Sequence, residues 1–194
     1  MSRNGNYILS SVTVDSDLTF AEAVSGSSVP GSVLDDLRLV EVAYYGFDGR
    51  LHTGQLVVSS AVEQDVREIF SLILEIRFSL NSVIPIVRYG WSDEASMEAN
   101  NSSAFNYRFI AGTDRLSRHA LGMAVDLNPR QNPVIYEDGQ ILPSGAIYSP
   151  GTPGTLTELS PIVEAFLQRG WFWGAYFRNF RDYHHFERPE PFPL

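Results

Sequence analysis

The chain has 194 residues, with 14 basic side chains, all of them arginine, against 23 acidic ones, for a net charge of −9. That balance excludes a nucleic-acid binder working through clustered positive charge, and the absence of cysteine excludes disulfides, thiol nucleophiles and cysteine-held metals. No apolar run reaches the roughly 18 residues of a transmembrane segment, and 194 residues, 44% of them apolar, predict one domain with a real core.

Residues 1–36 read as an N-terminal arm and 37–194 as the main domain. Met1 to Asp17 lacks the basic, then apolar, then small-residue order of an export signal. Ser25 to Ser32 is turn-forming and reads as a loop. Leu37 to Tyr45 and Gly54 to Ser59 read as two strands joined by the turn Phe47-Asp48-Gly49. From Ala61 to Leu80, apolar residues at Val62, Val66, Ile69, Phe70, Ile73 and Leu74 have helical spacing. Val83 to Arg88 reads as a short strand limited by Pro85. Trp91 to Tyr107 is polar and without period, and Arg130 to Thr157 holds four prolines and four glycines; both read as long loops. Between them Gly122 to Asn128 alternates as a strand. Leu159 to Gln168 reads as a helix closed by Gly170, and His184 to Glu187 as a last strand. The expected class is α+β: a single domain, a mainly antiparallel sheet, two main helices and long loops.

Chemistry-bearing residues are few. Of four histidines, His119 stands seven residues before Asp126 across Gly122, and His184 and His185 lie between Asp182 and Glu187. Asp126 is flanked by Val125 and Leu127, and a carboxylate in such a strand needs a partner or a metal. Two imidazoles and one carboxylate form a catalytic zinc shell with one position open to water. Adjacent strand residues face opposite ways, so only one of His184 and His185 can join a given site, and spacing does not say which. His52, in the N-terminal hairpin, reads as structural.

The string Ser117-x-His119-x-x-Gly122-x-Ala124-x-Asp126-x-Asn128-Pro129, with Asp182-x-x-His185-Phe186-Glu187, resembles the zinc D-alanyl-D-alanine carboxypeptidases. Their wider group includes D-Ala-D-Ala dipeptidases, lysostaphin-type peptidases, L-alanyl-D-glutamate endolysins and the hedgehog signalling domain. Further similarity lies in Ser103-Ala104-Phe105-Asn106-Tyr107-Arg108 and in Gly170-Trp171-x-Trp173-Gly174. The resemblance implies a hedgehog/DD-peptidase-like fold and a zinc ion held by His119, Asp126 and His185. It implies Asp182 as general base and then acid, and Arg108 as the cation that stabilises the oxyanion. Because strict alternation would put Asp182 and His185 on opposite faces, the motif requires a bend at Tyr183-His184.

Other residues carry two readings each. Ser117 is a substrate contact or a turn residue, and Glu187 braces a ligand imidazole or forms a plain salt bridge. Asn128 ties down the Pro129 turn, His184 has no metal role, and Trp171 and Trp173 wall the cleft or fill the core. Gly174-Ala175-Tyr176-Phe177 departs from the Gly-Gly and further Trp of close relatives. Arg115, Arg118 and Arg130 are candidates for holding a terminal carboxylate. The expected substrate is a peptidoglycan stem peptide or another D-Ala-containing peptide, cleaved by a carboxypeptidase or, alternatively, an L-alanyl-D-glutamate endopeptidase. A non-catalytic zinc-stapled binding module is the rival from another class. Such a substrate places the protein in the cell envelope or outside the cell.

Overall fold

The computed structural model describes residues 12–189. Residues 1–11, on which part of the export-signal and arm readings falls, lie outside them. The described part of the arm holds a short strand, β1 (Thr13–Val14), and two single-turn helices, α1 (Phe20–Ala23) and α2 (Gly31–Leu34). Two nine-residue strands follow, β2 (Leu37–Tyr45) and β3 (Leu51–Ser59), antiparallel in unbroken register from Leu37↔Ser59 to Tyr45↔Leu51. On β3's other edge β1 adds in parallel, which leaves β3 central.

That position explains why Leu56-Val57-Val58 is continuously apolar rather than alternating: both faces of β3 are covered. Leu56 and Val58 face the main core, while Val57 joins Leu18, Ala23, Leu37 and Phe105 beneath the arm. Gln55 is buried and fully used, accepting from Leu18 N and donating to Leu18 O. The arm is thus stitched to the sheet by a side chain acting as a strand neighbour would.

The principal helix, α3 (Glu63–Glu75), is entered through a 3₁₀ turn at Ser60–Val62 and lays Val66, Ile69, Phe70 and Ile73 on the hairpin. It ends five residues before the expected Leu80. Arg77 takes a left-handed conformation (φ 53°), Phe78 N bonds back to Ile73 O, and Leu80 N reaches Tyr45 O on the sheet edge. The chain needs this reversal to return to the sheet, and that outweighs the apolar spacing.

Three further expectations are corrected. The strand placed at Val83 to Arg88 is only β4 (Ser82–Val83), followed by a 3₁₀ turn at Ile86–Tyr89 that Pro85 opens. Inside the expected loop Trp91–Tyr107 lie α4 (Asp93–Glu98) and β5 (Asn101–Ser102), the latter parallel to β4. Ser92 caps α4 by accepting from Ala95 N, and Asp93 and Glu94 suit the positive end of the helix dipole. The expected loop Arg130–Thr157 contains a hairpin, introduced below.

After a 3₁₀ turn at Arg118–Leu121 come β6 (Ala124–Asp126), the hairpin strands β7 (Val134–Tyr136) and β8 (Ile141–Leu142), and helix α5 (Pro161–Gln168). Gly170, at φ 77°, closes α5 as expected. The chain finishes with β9 (Phe172–Trp173), β10 (Phe180–Asp182) and β11 (His185–Glu187). Strands β6, β11 and β9 form one antiparallel sheet, with β11 central, and β10, β7 and β8 form another. Phe166 of α5 stacks on Phe186 at 3.9 Å between ring centroids, and Trp171 Nε1 donates to Asp65 of α3 at 2.8 Å. Trp171 and Trp173 are core residues. The architecture is mixed α+β, mainly antiparallel, with α3 and α5 as its main helices, as the sequence predicts.

His52 is structural in the way expected. Its Nδ1 lies 2.8 Å from Asp15 of the arm, its Nε2 lies 3.1 Å from Asp48 in the hairpin turn, and its ring stacks on Tyr44. Burial opposes its charge, but the Asp15 and Asp48 carboxylates outweigh burial and raise its pKa above the usual 6.5. The stabilisation from this ion cluster is therefore complete below the unfolded value and is lost as pH rises through the raised folded one. We expect His52→Gln to lower Tm more at about pH 5.5 than at about pH 9. Thermal melts of both proteins across that range check the sign.

Candidate metal centre

Three strand and turn segments converge at one end of the β6–β11 pair. The first begins at Ser117, whose hydroxyl caps the 3₁₀ turn by accepting from His119 N at 3.2 Å. Gly122 ends that turn at φ 65°, and a Cβ there would sit 2.5 Å from Ser59 N and 2.8 Å from Leu37 Cδ2. The missing side chain lets the turn press on the end of the hairpin, where Ser59 N bonds Gly122 O at 2.9 Å. His119 is held from the other side as well: its Nδ1 donates to the carbonyl of Ala104. A carbonyl can only accept, so Nδ1 carries the proton and Nε2 faces inward.

The second segment is β6, which ends in Asp126. Its backbone exchanges two bonds with Ser103, at 3.0 and 2.8 Å, and its register partner on β11 is His185. Directly opposed residues of an antiparallel pair share a face, so Asp126 and His185 meet. Asp126 Oδ1 lies 3.0 Å from His185 Nδ1, and Asp126 Oδ2 lies 3.2 Å from His119 Nε2. The two imidazole nitrogens are 3.1 Å apart. One donor atom from each residue falls within a sphere of contacts no wider than 4.8 Å, and the residues are only 3, 4 and 8% exposed. The structure thus brings His119, Asp126 and His185 together as a group able to hold a metal ion.

The group fits a cation in its charge as well as its spacing. Burial alone would protonate Asp126, yet the neighbouring histidines, His119 first, hold its carboxyl well below the usual range. Burial also disfavours charge on His185, but the carboxylates of Asp126 and Glu187 overcome it and push its pKa up to about 10. Glu187 Oε2 lies 3.2 Å from His185 Nε2, on the ring side away from the cluster. Each imidazole therefore has its outer nitrogen on an oxygen acceptor and its inner nitrogen turned toward Asp126, the arrangement that orients histidine ligands in metal sites.

The third segment is the turn from β10 into β11. A bend does fall at Tyr183-His184, as the motif requires, with Tyr183 N bonded to Pro133 O and His184 O accepting from Leu127 N. Gly174 lies inside this bend: a Cβ on it would be 2.9 Å from Asp182 Cβ and 3.1 Å from His185 Cβ. Asp182 and His185 are thereby drawn to the same neighbourhood. Burial is the main cause that raises the pKa of Asp182, and the charge on Asp126 adds to it.

His184, expected to be a bystander, is buried and has a defined task. Its Nδ1 donates to Asn132 O at 2.7 Å and its Nε2 stands 3.1 Å from Asp182 Oδ1. The signal was present in the sequence, since Asp182 and His184 are two apart in a strand-like stretch and share a face. Asn132 also had a signal, since it stands directly before Pro133 as Asn128 stands before Pro129. Its amide binds Leu127 O, Gly154 O and Leu156 N, and so fixes the loop that carries the His184 acceptor. Asn128, at φ 47°, ties the Pro129 turn to Asn81, Ser79 and Gly154.

Arg108 does not join the three-residue cluster. Its guanidinium pairs with Asp93 at the start of α4, 2.8 Å away, while its Nε is buried without an acceptor. Ser117 N bonds Arg108 O, so the arginine is rooted beside the His119 turn. Arg130 pairs with Glu98 at 3.1 Å.

Residues 111–188 match a protein-family model described as D-alanyl-D-alanine carboxypeptidase. No curated protein and no solved structure gives a significant match to the chain. The matched residues include His119, Asp126, Asp182, His184, His185 and Glu187, while Arg108 precedes them. The segment 111–188, which contains the whole buried His-Asp-His group, is thus similar to the D-alanyl-D-alanine carboxypeptidase family.

Proposed function

We propose that the chain is a zinc-dependent peptidase of peptidoglycan stem peptides that removes a terminal D-Ala, with 37–194 as its peptidase domain. The observation that carries the reading is the buried His119, Asp126, His185 group within the segment that matches the carboxypeptidase family. Zinc suits two imidazoles and a carboxylate, and when bound it lowers the pKa of a water ligand from 15.7 to about 7 and polarises a carbonyl.

The chain's own groups supply the remaining work. Asp182 takes the proton from the attacking water and later delivers it to the leaving amine nitrogen. Its raised pKa makes it a stronger base than an exposed aspartate. His184, anchored on Asn132, stands 3.1 Å from Oδ1 of that carboxylate and borders it on one side. Arg108, oriented by Asp93, offers its guanidinium to the oxygen that gains charge in the transition state. Glu187 holds the His185 ring in line, and Ser117 serves the site by capping the His119 turn. The presence of both Asp182 and Arg108 supports a hydrolytic role over a zinc-stapled binding module.

Purified protein should bind about one zinc per chain and release D-Ala from a muramyl pentapeptide, with release abolished by a chelator and restored by zinc. Stem peptides left intact by a zinc-loaded chain that opens whole peptidoglycan would identify an endopeptidase instead. No zinc after reconstitution would sink the reading.

Two substitutions separate the roles. Asp182→Ala should keep its zinc and lose about 10²–10⁴-fold in kcat, checked by metal analysis alongside turnover. Gly122→Ala should displace the His119 turn from the hairpin and weaken zinc affinity, measured by competition with a chromogenic chelator, because the added Cβ would press on the backbone of Ser59 and Val58 as well as on Leu37.

A further inference from the structure

The run from Ser103 to Arg108 borders the metal centre. Ser103 pairs with Asp126, the Ala104 carbonyl takes the proton of His119 Nδ1, and Asn106 N donates to His119 O at 3.1 Å. Phe105 points elsewhere, into the apolar cluster beneath the arm, and anchors the run there. Two side-chain donors of this run are buried without an acceptor, Asn106 Nδ2 and Arg108 Nε. Among the described residues two other buried side-chain atoms lack a hydrogen-bond partner, the acceptor Asp182 Oδ1 and the donor Arg188 Nη1. Three of the four therefore belong to the segments that build this one centre.

Native folds leave few buried polar atoms unpaired, and one that remains calls for a partner that arrives from outside. Asn106 is only 3% exposed, so bulk water does not serve its amide freely. An uncharged amide donor suits an uncharged acceptor, and a peptide substrate offers main-chain carbonyls. We propose that Asn106 is a substrate-binding residue, its side-chain amide donating to a main-chain carbonyl oxygen of the bound peptide. The inference rests on the peptidase reading above and extends it. The contact fixes the peptide's register, so that the carbonyl facing Arg108 is that of the bond to be cut.

Zinc-loaded full-length protein with Asn106→Leu, which keeps the shape, and Asn106→Ala tests it against an acyl-D-Ala-D-Ala peptide. Both variants should lose roughly 10- to 100-fold in kcat/KM with bound zinc unchanged. The Leu variant should melt no lower than wild type, because an unpaired buried donor has been removed. In ¹⁵N NMR spectra of the wild type, the Asn106 side-chain amide signals, identified by their loss in the Leu variant, should shift when peptide is added. Full activity in both variants, amide signals that peptide leaves unmoved, or a loss of activity matched by a loss of zinc or of Tm overturns the proposal while leaving the peptidase reading intact. A zinc-loaded wild type that neither binds nor cleaves any stem peptide overturns both.

Discussion

An ionised carboxylate buried between two imidazoles is the constraint around which the second half of the molecule is arranged. Asp126 lies on a strand whose neighbours Val125 and Leu127 are wholly enclosed, where an unpaired charge is very costly. The fold meets that demand three times over. It sets Asp126 in register with His185, turns His119 inward from the other side, and gives each imidazole an outer acceptor in Ala104 O or Glu187. Negative charge is left in surplus around a small enclosed space, which is the electrostatic definition of a cation site.

The first half of the molecule supplies the platform. The hairpin of β2 and β3 is covered on one face by α3 and on the other by the arm, so its end is a firm surface. The His119 turn rests on that surface through Gly122, close against the backbone of Val58 and Ser59 and beside Leu37. Precision at the centre thus comes from backbone lying on backbone, which resists displacement better than contact through mobile side chains.

Much of this was legible in the residues themselves. The hairpin, the two main helices and the α+β class follow from apolar spacing and turn residues, and the ligand set follows from the resemblance. What escaped was decided by single side chains replacing backbone partners. Asn101 binds both Ile84 N and Ile84 O, which spares that segment from being a strand. Ser92 and two acidic residues start α4 in a stretch too short for a period to emerge. The early end of α3 is set by where the sheet edge lies, which no local pattern encodes. The approach of His184 to Asp182 depends on the bend between β10 and β11, whose shape local spacing likewise does not encode.

The bend at Tyr183-His184 joins two different sheets, with Asp182 governed by its pairing to β7 and His185 by its pairing to β6. Separation between Asp182 and His185 is therefore a property of the main chain, and the absence of a side chain at Gly174 lets the corner fold tightly between them. Side chains around the corner can change more freely than its length. One residue gained or lost there would reverse the pleat beyond it, turning His185 into the core and its neighbour toward Asp126.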